Sequence, residues 1–587
     1  MQIKQTLISL FICMLTISCY ANWGSMFRGL YFSQPSTINT NTWDVEVTTA
    51  NSNELFTIVP TAASNLIIDW GDGSSTNYTG SVTVSHTYVS PNSYTLTLNG
   101  TVNQIRFGST ATTRNRLTKV LTTVDGINGL NSFNSTFYSC TMLTSIPNDL
   151  FINVAGINSL ASAWYDNRIV TNFPDVSKLT DVNTLISAWN SCDDCLNFPA
   201  VNTLTNVLSL QSTWFACVAA KSFPDVSALT KVTTLENTWS SGTTATNYPE
   251  VNTLTNVTDI ITTWYNCNDA TTFPAVSNLT KATSLYGAWG GCGKAINFPD
   301  VDKLTNVTTL RSAWVSAYAA SNFPAVNTLT KVTSLQTTWS GCSIGVDFPE
   351  VSALTNVTTL SGTWADCAKE TNFPDVSTLT KVTTLYATWN DCESAPNFPE
   401  VNTLTNVTSL NSTWVNCLSA TSFPAVSALK KVTTLETTWS GCTNATDFPD
   451  VSTLTNVATL NATWINCSKA TNFSSILLLT QVATFANTWN GCSGAETFPD
   501  MTTATNATTF NSAWKNCTSM TSCPTIGTST NSKLVNVGAA FYGNGNLRGN
   551  SIPFYNTNQY PKITTFAGCY TGCTNLADYA TIPAGWK

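Results

Sequence analysis

Three sets of side chains could do chemistry in this chain. The first is one histidine, His86. The second is a row of carboxylates, Asp225, Glu250, Asp300, Glu350, Asp375, Glu400 and Asp450, each two positions after a Phe or Tyr. The third is cysteine: fourteen residues, from Cys140 through Cys192, Cys217 and Cys267 to Cys517 and Cys573, share the position three after the recurring aromatic residue. A lone His leaves no Ser/His/Asp set. Two carboxylates in a cleft could cleave a glycoside, but these recur on a ladder rather than as one isolated pair. The thiols have no His partners, and only Cys192-Asp193-Asp194-Cys195 has the paired spacing of a zinc site. There is no phosphate-binding loop and no dinucleotide fingerprint. The expectation is no enzyme, no metal and no cofactor.

Composition narrows the partners. The 587 residues carry a net charge of −8 with only 10% charged side chains, so solubility rests on Thr, Ser and Asn. The acidic balance argues against nucleic acid, whose phosphates need clustered Lys and Arg. An apolar content of 42% is ample for a core. Lys4 precedes an apolar run from Leu7 to Ile17, with a small-residue site after Ala21, so residues 1–21 read as a signal peptide. A lipid anchor at Cys19 is the alternative, disfavoured because Leu15 stands four residues before it rather than three. No later run is long enough to span a membrane. The mature chain is expected to be secreted, extracellular or at the cell surface.

The elements that position these residues repeat. Phe or Tyr stands at every 25th position from Phe173 to Phe498, followed by Pro except at Ser474. Tryptophan keeps the same period without a miss, as Trp164, Trp189, Trp214, Trp239, Trp264, Trp289, Trp314, Trp339, Trp364, Trp389, Trp414, Trp439, Trp464, Trp489 and Trp514. Spacing drifts at the ends, to Phe137, Phe541 and Tyr570. The pattern predicts a repeat solenoid of about eighteen coils with atypical ends. Within a coil, Leu204, Val207, Leu210, Trp214 and Cys217 step by 3, 3, 4 and 3, which predicts one face of a short helix. Phe223-Pro224 then opens a short extended stretch. Short strand plus short helix in 25 residues is a leucine-rich-repeat-like plan.

Each row has two readings. The fifteen Trp are a structural core ladder, each indole stacked on the next coil, or a stripe that stacks on sugars. The Cys row is buried and reduced, since it has gaps at Asn167, Gly242 and Ala317 and cannot pair completely; neighbouring coils would nevertheless be close enough for disulfides. The acidic row is a solvated face, or a stripe for a basic or cation-bridged partner. Asn206, Lys231, Asn256 and Lys281 begin an alternation that continues to Asn456, which spaces the ammonium groups and marks a 50-residue unit. Asn-Val-Thr at Asn256, Asn306, Asn356 and Asn406 fits the N-glycosylation pattern.

Two resemblances follow from particular residues. Leu404-Thr405-Asn406-Val407-Thr408-Ser409-Leu410, closing with Trp414 and Cys417, is similar to repeats of the BspA-like leucine-rich repeat surface proteins. Phe137-Tyr138-Ser139-Cys140 and Tyr570-Thr571-Gly572-Cys573 resemble them most closely. That likeness covers residues 115–587 and implies a leucine-rich-repeat-like solenoid on a surface adhesion protein, although Trp stands where Phe or Tyr is commoner. Upstream, Trp70-Gly71-Asp72-Gly73-Ser74, His86-Thr87-Tyr88 and the alternating Tyr94 to Leu98 resemble the polycystic-kidney-disease type of β-sandwich, over residues 40–108. It implies a spacer, with His86 in a structural hydrogen bond.

The function these readings predict is adhesion or binding: an extended repeat surface engaging protein or glycan on matrix or cell surfaces, with avidity from many weak contacts. The alternative is a self-associating building block of an extracellular coat or fibre. Ice binding through Thr rows is a weaker idea, because it needs a flat β face and Thr258 falls on the segment read as helical.

Overall fold

The computed structural model describes residues 42–344, 347–527 and 533–587; the leader 1–21, with Cys19, and the first two residues of the 40–108 stretch lie outside them. The chain opens with β1 (Trp43–Thr48), β2 (Glu54–Thr61), β3 (Ala63–Asp69), β4 (Ser75–Gly80), β5 (Val84–Tyr88), β6 (Ser93–Thr101) and β7 (Gln104–Phe107). A one-turn helix α1 (Ala111–Arg114), β8 (Leu117–Val120) and β9 (Ile127–Asn128) follow. One sheet has the order β4-β3-β6-β1-β8, with β9 beside β6, and the other has the order β5-β2-β7. Alternation places Trp43, Val45 and Val47 inward along β1. Trp43 meets Phe107 of the second sheet edge-on at 5.2 Å, so one core fills the space between the two.

The tight turn after β3 is built by its own residues. Gly71 has φ +78° and lies against the Thr95 backbone, where a Cβ would collide. Asp72 accepts the Ser74 amide through Oδ1 and holds His86 Nε2 at 2.7 Å through Oδ2. The His86 ring stacks on Trp70 at 4.7 Å. These contacts give His86 a local structural role.

The sheets run directly into the repeats. Phe107 donates its amide to Thr136 O, Val120 donates to Ser145 O, and Phe107 stacks on Phe137 at 5.6 Å. β8 falls within the stretch assigned from sequence to the solenoid, yet it pairs with β1. The sheet region therefore covers the first coil rather than hanging from it as a separate spacer.

From Ser159 onward the chain winds in coils. Parallel bridges join Ser159 to Thr184, Thr184 to Ser209, Ser209 to Thr234, and so on in steps of 25 to Thr509, then to Asn536 and Thr565. The periodic positions, such as Leu204, Val207, Leu210, Trp214 and Cys217, point inward and are buried. At the far end Tyr570 donates its amide to Trp586 O, and Trp586 stacks on Phe566 at 4.5 Å, closing the last coil. No helix among the described residues is long and apolar enough to cross a membrane.

The predicted short helix does not form. Residues 204–217 are a succession of turns, and the parallel bridges run through this segment rather than through the stretch after Phe-Pro. The amides explain why. Those of Leu210, Ser212, Trp214 and Ala216 all donate to the following coil, at 2.8–3.3 Å, while Thr213 and Phe215 reach back three residues within their own coil. A helix would direct all of them within the segment. Ser212 and Ala216 take φ +53° and +56°, and the equivalent positions of nearly every coil do the same, which a right-handed helix does not admit. The steps of three between Val201, Leu204 and Val207 come from three-residue turns, with each amide bonded to the carbonyl three back.

Candidate functional site

The inward rows come first, because they show which side chains the scaffold uses. Trp164, Trp189, Trp214, Trp239, Trp264, Trp289, Trp314, Trp339, Trp364, Trp389, Trp414, Trp439, Trp464, Trp489 and Trp514 are all fully buried. Each ring stacks on the next at a centroid distance of 5.4–6.0 Å, within 14° of parallel. Phe541 and Tyr570 continue the column. None of the fifteen indole nitrogens has a hydrogen-bond partner among the described residues, so the rings themselves are held by stacking and burial. A buried column offers no ring face for a sugar to stack on.

The cysteines make a specific contact. From Cys192 to Cys517, twelve thiols donate to the Trp carbonyl of the preceding coil, at 2.9–3.4 Å. Asn167 and Asn544, in the same place, donate to Phe137 O and Trp514 O. The row therefore carries a small buried donor in most coils, with Gly242 and Ala317 the exceptions, and none of the seventeen described cysteines is paired. Burial raises the thiol pKa, in Cys517 to about 12, which keeps the donating proton in place. Buried Thr213, Thr238 and their equivalents bridge Leu carbonyls of their own and the preceding coil in the same way.

Outward rows are also committed to the scaffold. Lys231 donates to Asn206 Oδ1, Lys281 to Asn256, Lys331 to Asn306, Lys381 to Asn356 and Lys431 to Asn406, at 2.6–2.7 Å. Each of these Asn side chains donates in turn to a Thr carbonyl one coil back. The carboxamides of Asn256, Asn306, Asn356 and Asn406 are thus engaged on both sides. Thr233, Thr258 and Thr283 donate their hydroxyls to the backbone carbonyl at position 208, 233 or 258 of the coil before, and the row continues so to Thr433. This row does lie beside the parallel bridges, but its donors are spent on the backbone.

The acidic row does not converge on a centre. Asp225, Glu250, Asp300, Glu350, Asp375, Glu400 and Asp450 are all exposed, one to a coil. Asp225, Asp375 and Asp450 cap the amides of Ser227, Ser377 and Ser452, which is a turn role. No three His, Cys, Asp or Glu among the described residues come together as a metal site. Two surface hollows of about 210 and 580 Å³ lie beside the first coils, near Asn148, Phe173 and Asp175.

One outward row is tied to the scaffold only in part, by Gln211 donating to Glu236 and Asn461 donating to Glu436, and sequence reading passed over it. Three positions before each Trp stand Gln211, Glu236, Ile261, Tyr286, Arg311 and Gln336, and the variation continues through Tyr386 to Asn511. Here nearly every coil differs, while the position before it stays apolar as Leu210, Leu235, Ile260, Leu285 and Leu310. Comparing coils position by position would have found it.

No family model matches the chain, and no curated protein matches it. Similar solved structures include a leucine-rich repeat protein from Bacteroides ovatus ATCC 8483, 12% identical with a TM-score of 0.31, covering 80% of this chain and 94% of that one. Another is the TLR13–ssRNA13 complex, 10% identical with a TM-score of 0.19, covering 78% and 80%. Overlaps this loose say nothing about ligand. The coil-to-coil bridges alone describe a stacked-repeat chain.

Proposed function

We propose that this chain is a secreted or cell-surface binding protein whose extended repeat surface engages protein or glycan on matrix or cells. The observation that carries the reading is the unbroken parallel ladder from Ser159 to Thr565, which presents equivalent outward positions on coil after coil. Many equivalent contacts on one rigid body are the geometry of avidity. In this reading the solenoid has about eighteen coils of a leucine-rich-repeat-like, BspA-like kind, with turns in place of the helices. The N-terminal sheets are a polycystic-kidney-disease type β-sandwich serving as its cap, and residues 1–21 are a cleaved signal peptide.

A coat or fibre would instead join copies through the N-terminal sheets or the end coils. Electron microscopy of the mature chain tests the choice: isolated rods agree with the proposal, and end-to-end fibres overturn it.

A further inference from the structure

We propose that Tyr286 and Arg311, with Tyr265 of the coil before, form on the repeat surface a site for a saccharide bearing a carboxylate. The proposal rests on the reading of the repeat surface as a binding surface and names the ligand chemistry at one place on it.

The Thr, Asn and Lys rows have hydrogen bonds to a neighbouring coil, and so do parts of the varied row, where Gln211 donates to Glu236 and Asn461 to Glu436. Tyr286 and Arg311 meet differently, by a guanidinium stacked on a ring.

Three successive coils build the site. Tyr265 leans across onto the next coil, where Gly287 and Gly290 leave room for its ring. A Cβ on Gly290 would stand 2.9 Å from Tyr265 Cε2, and one on Gly287 would stand 3.5 Å from Tyr265 Cδ2. Tyr286, next to Gly287, is 39% exposed. From the third coil Arg311 lays its guanidinium over the Tyr286 ring, 5.4 Å from the centroid. That guanidinium has no ion pair and no side-chain hydrogen bond among the described residues, although the chain as a whole is acidic.

The chemistry follows. A guanidinium held by stacking, with its donors unspent, is a two-pronged receptor for a carboxylate. The exposed part of the Tyr286 ring offers apolar surface with a polar rim beside the guanidinium, which suits a pyranose ring. An extended acidic peptide fits less well, because the coil amides around Tyr286 are already bonded from coil to coil and leave no edge for strand addition.

Calorimetric titration of the purified mature chain tests the site with three probes: oligogalacturonate, sialyllactose and, as the neutral control, lactose. Binding of either acidic saccharide but not lactose, weakened about tenfold or more by Arg311→Gln and by Tyr286→Ala but not by Arg168→Gln, is the expected result. The two acidic probes separate a uronate from a sialate. No binding of either one overturns the proposal. Equal losses in the Arg168 and Arg311 variants, or tighter binding of a poly-glutamate peptide than of both sugars, overturn it as well. Thermal unfolding of each variant at the wild-type temperature shows that the loss is not misfolding. Adhesion to cells is scored separately with coil deletions outside residues 254–322, so failure of the binding reading and failure of this site give different outcomes.

Discussion

Lys231 Nζ lies 2.7 Å from Asn206 Oδ1, and Nδ2 of the same carboxamide lies 3.0 Å from the Thr180 carbonyl one coil earlier. Three coils are tied by one Asn. The alternation of Asn and Lys is therefore a donor–acceptor pattern as well as a way to separate charges. An Asn can take the ammonium in front and cap the carbonyl behind, which a second Lys cannot do.

That relationship predicts which coil deletions are tolerated. Removing residues 348–372 takes out Asn356 and sets Lys331 beside Lys381, whereas removing 323–372 leaves Asn306 to receive Lys381. Two ammonium groups about 5 Å apart at the surface repel by about 1 kcal/mol, less in salt. The single deletion is expected to be the less stable in denaturant melts even though it removes less chain. The gap between the two should narrow at high salt, and a single deletion as stable as the pair would contradict the pattern.

The period was legible in the sequence, and so were the coil order, the inward rows and the turn at Asp72. The helix was misread because steps of three and four fit both a helical face and a run of three-residue turns. Only the direction of the alternate amides separates them, and that depends on the neighbouring coil. Left-handed backbone at Ser212 and Ala216 carries no sequence signal as strong as Gly would give. Among the carboxylates, Asp225, Asp375 and Asp450 cap turns, and their recurrence needs no ligand to explain it. The Tyr286 and Arg311 pair was missed because attention went to positions that repeat.

The left-handed positions have their own test. Ala387 sits at φ +50°, two residues before Trp389. Ala387→Val places a β-branched residue there and is expected to cost about 1–2 kcal/mol, while Ala387→Gly should cost little or nothing. Urea melts of the two variants decide it. Equal destabilisation by Val and Gly would mean that the backbone at 387 is not left-handed.

The Trp column predicts an asymmetry between substitutions. Trp389 Nε1 has no partner among the described residues, so Trp389→Phe gives up no hydrogen bond and should cost under about 2 kcal/mol. Trp389→Ala opens a cavity between its stacked neighbours Trp364 and Trp414 and should cost about 3–5 kcal/mol. Fluorescence of the native chain should be quenched only weakly by iodide. Strong quenching would mean an exposed column.

The thiols make alkaline stability a test of the Cys row. Burial raises Cys517 to about 12 and pushes Cys367 and Cys392 well above 9.0, so the folded chain keeps protons that the unfolded chain releases. The resulting stability is complete below about pH 9. It is lost as pH rises toward 12, by up to about 1.4 kcal/mol per pH unit for each such thiol. Unfolding temperature should fall steadily above pH 9, and less steeply once Cys367 and Cys392 are both Ala. Alkylation should be slow in the native chain and nearly complete after denaturation. Thiols absent after denaturation would overturn the assignment.

The last prediction concerns the array as a binding surface. If contacts are spread along the array, each coil contributes a fraction of the binding free energy and none is indispensable. Deleting 323–372 keeps both covered ends, the Asn/Lys order and the residues around Tyr286, so adhesion to cells or matrix should weaken in part. A second 50-residue deletion, 373–422, should weaken it by a similar factor, and both together by more than either alone. Removing the N-terminal sheets is expected to act differently, because it uncovers Phe133 and Phe137 and takes β1 away from β8. That deletion should lower the stability of the first coils, visible as earlier proteolysis near residue 137, before any effect on adhesion is scored. Complete loss of adhesion on removing one coil pair, with the other pairs dispensable, would sink the distributed array.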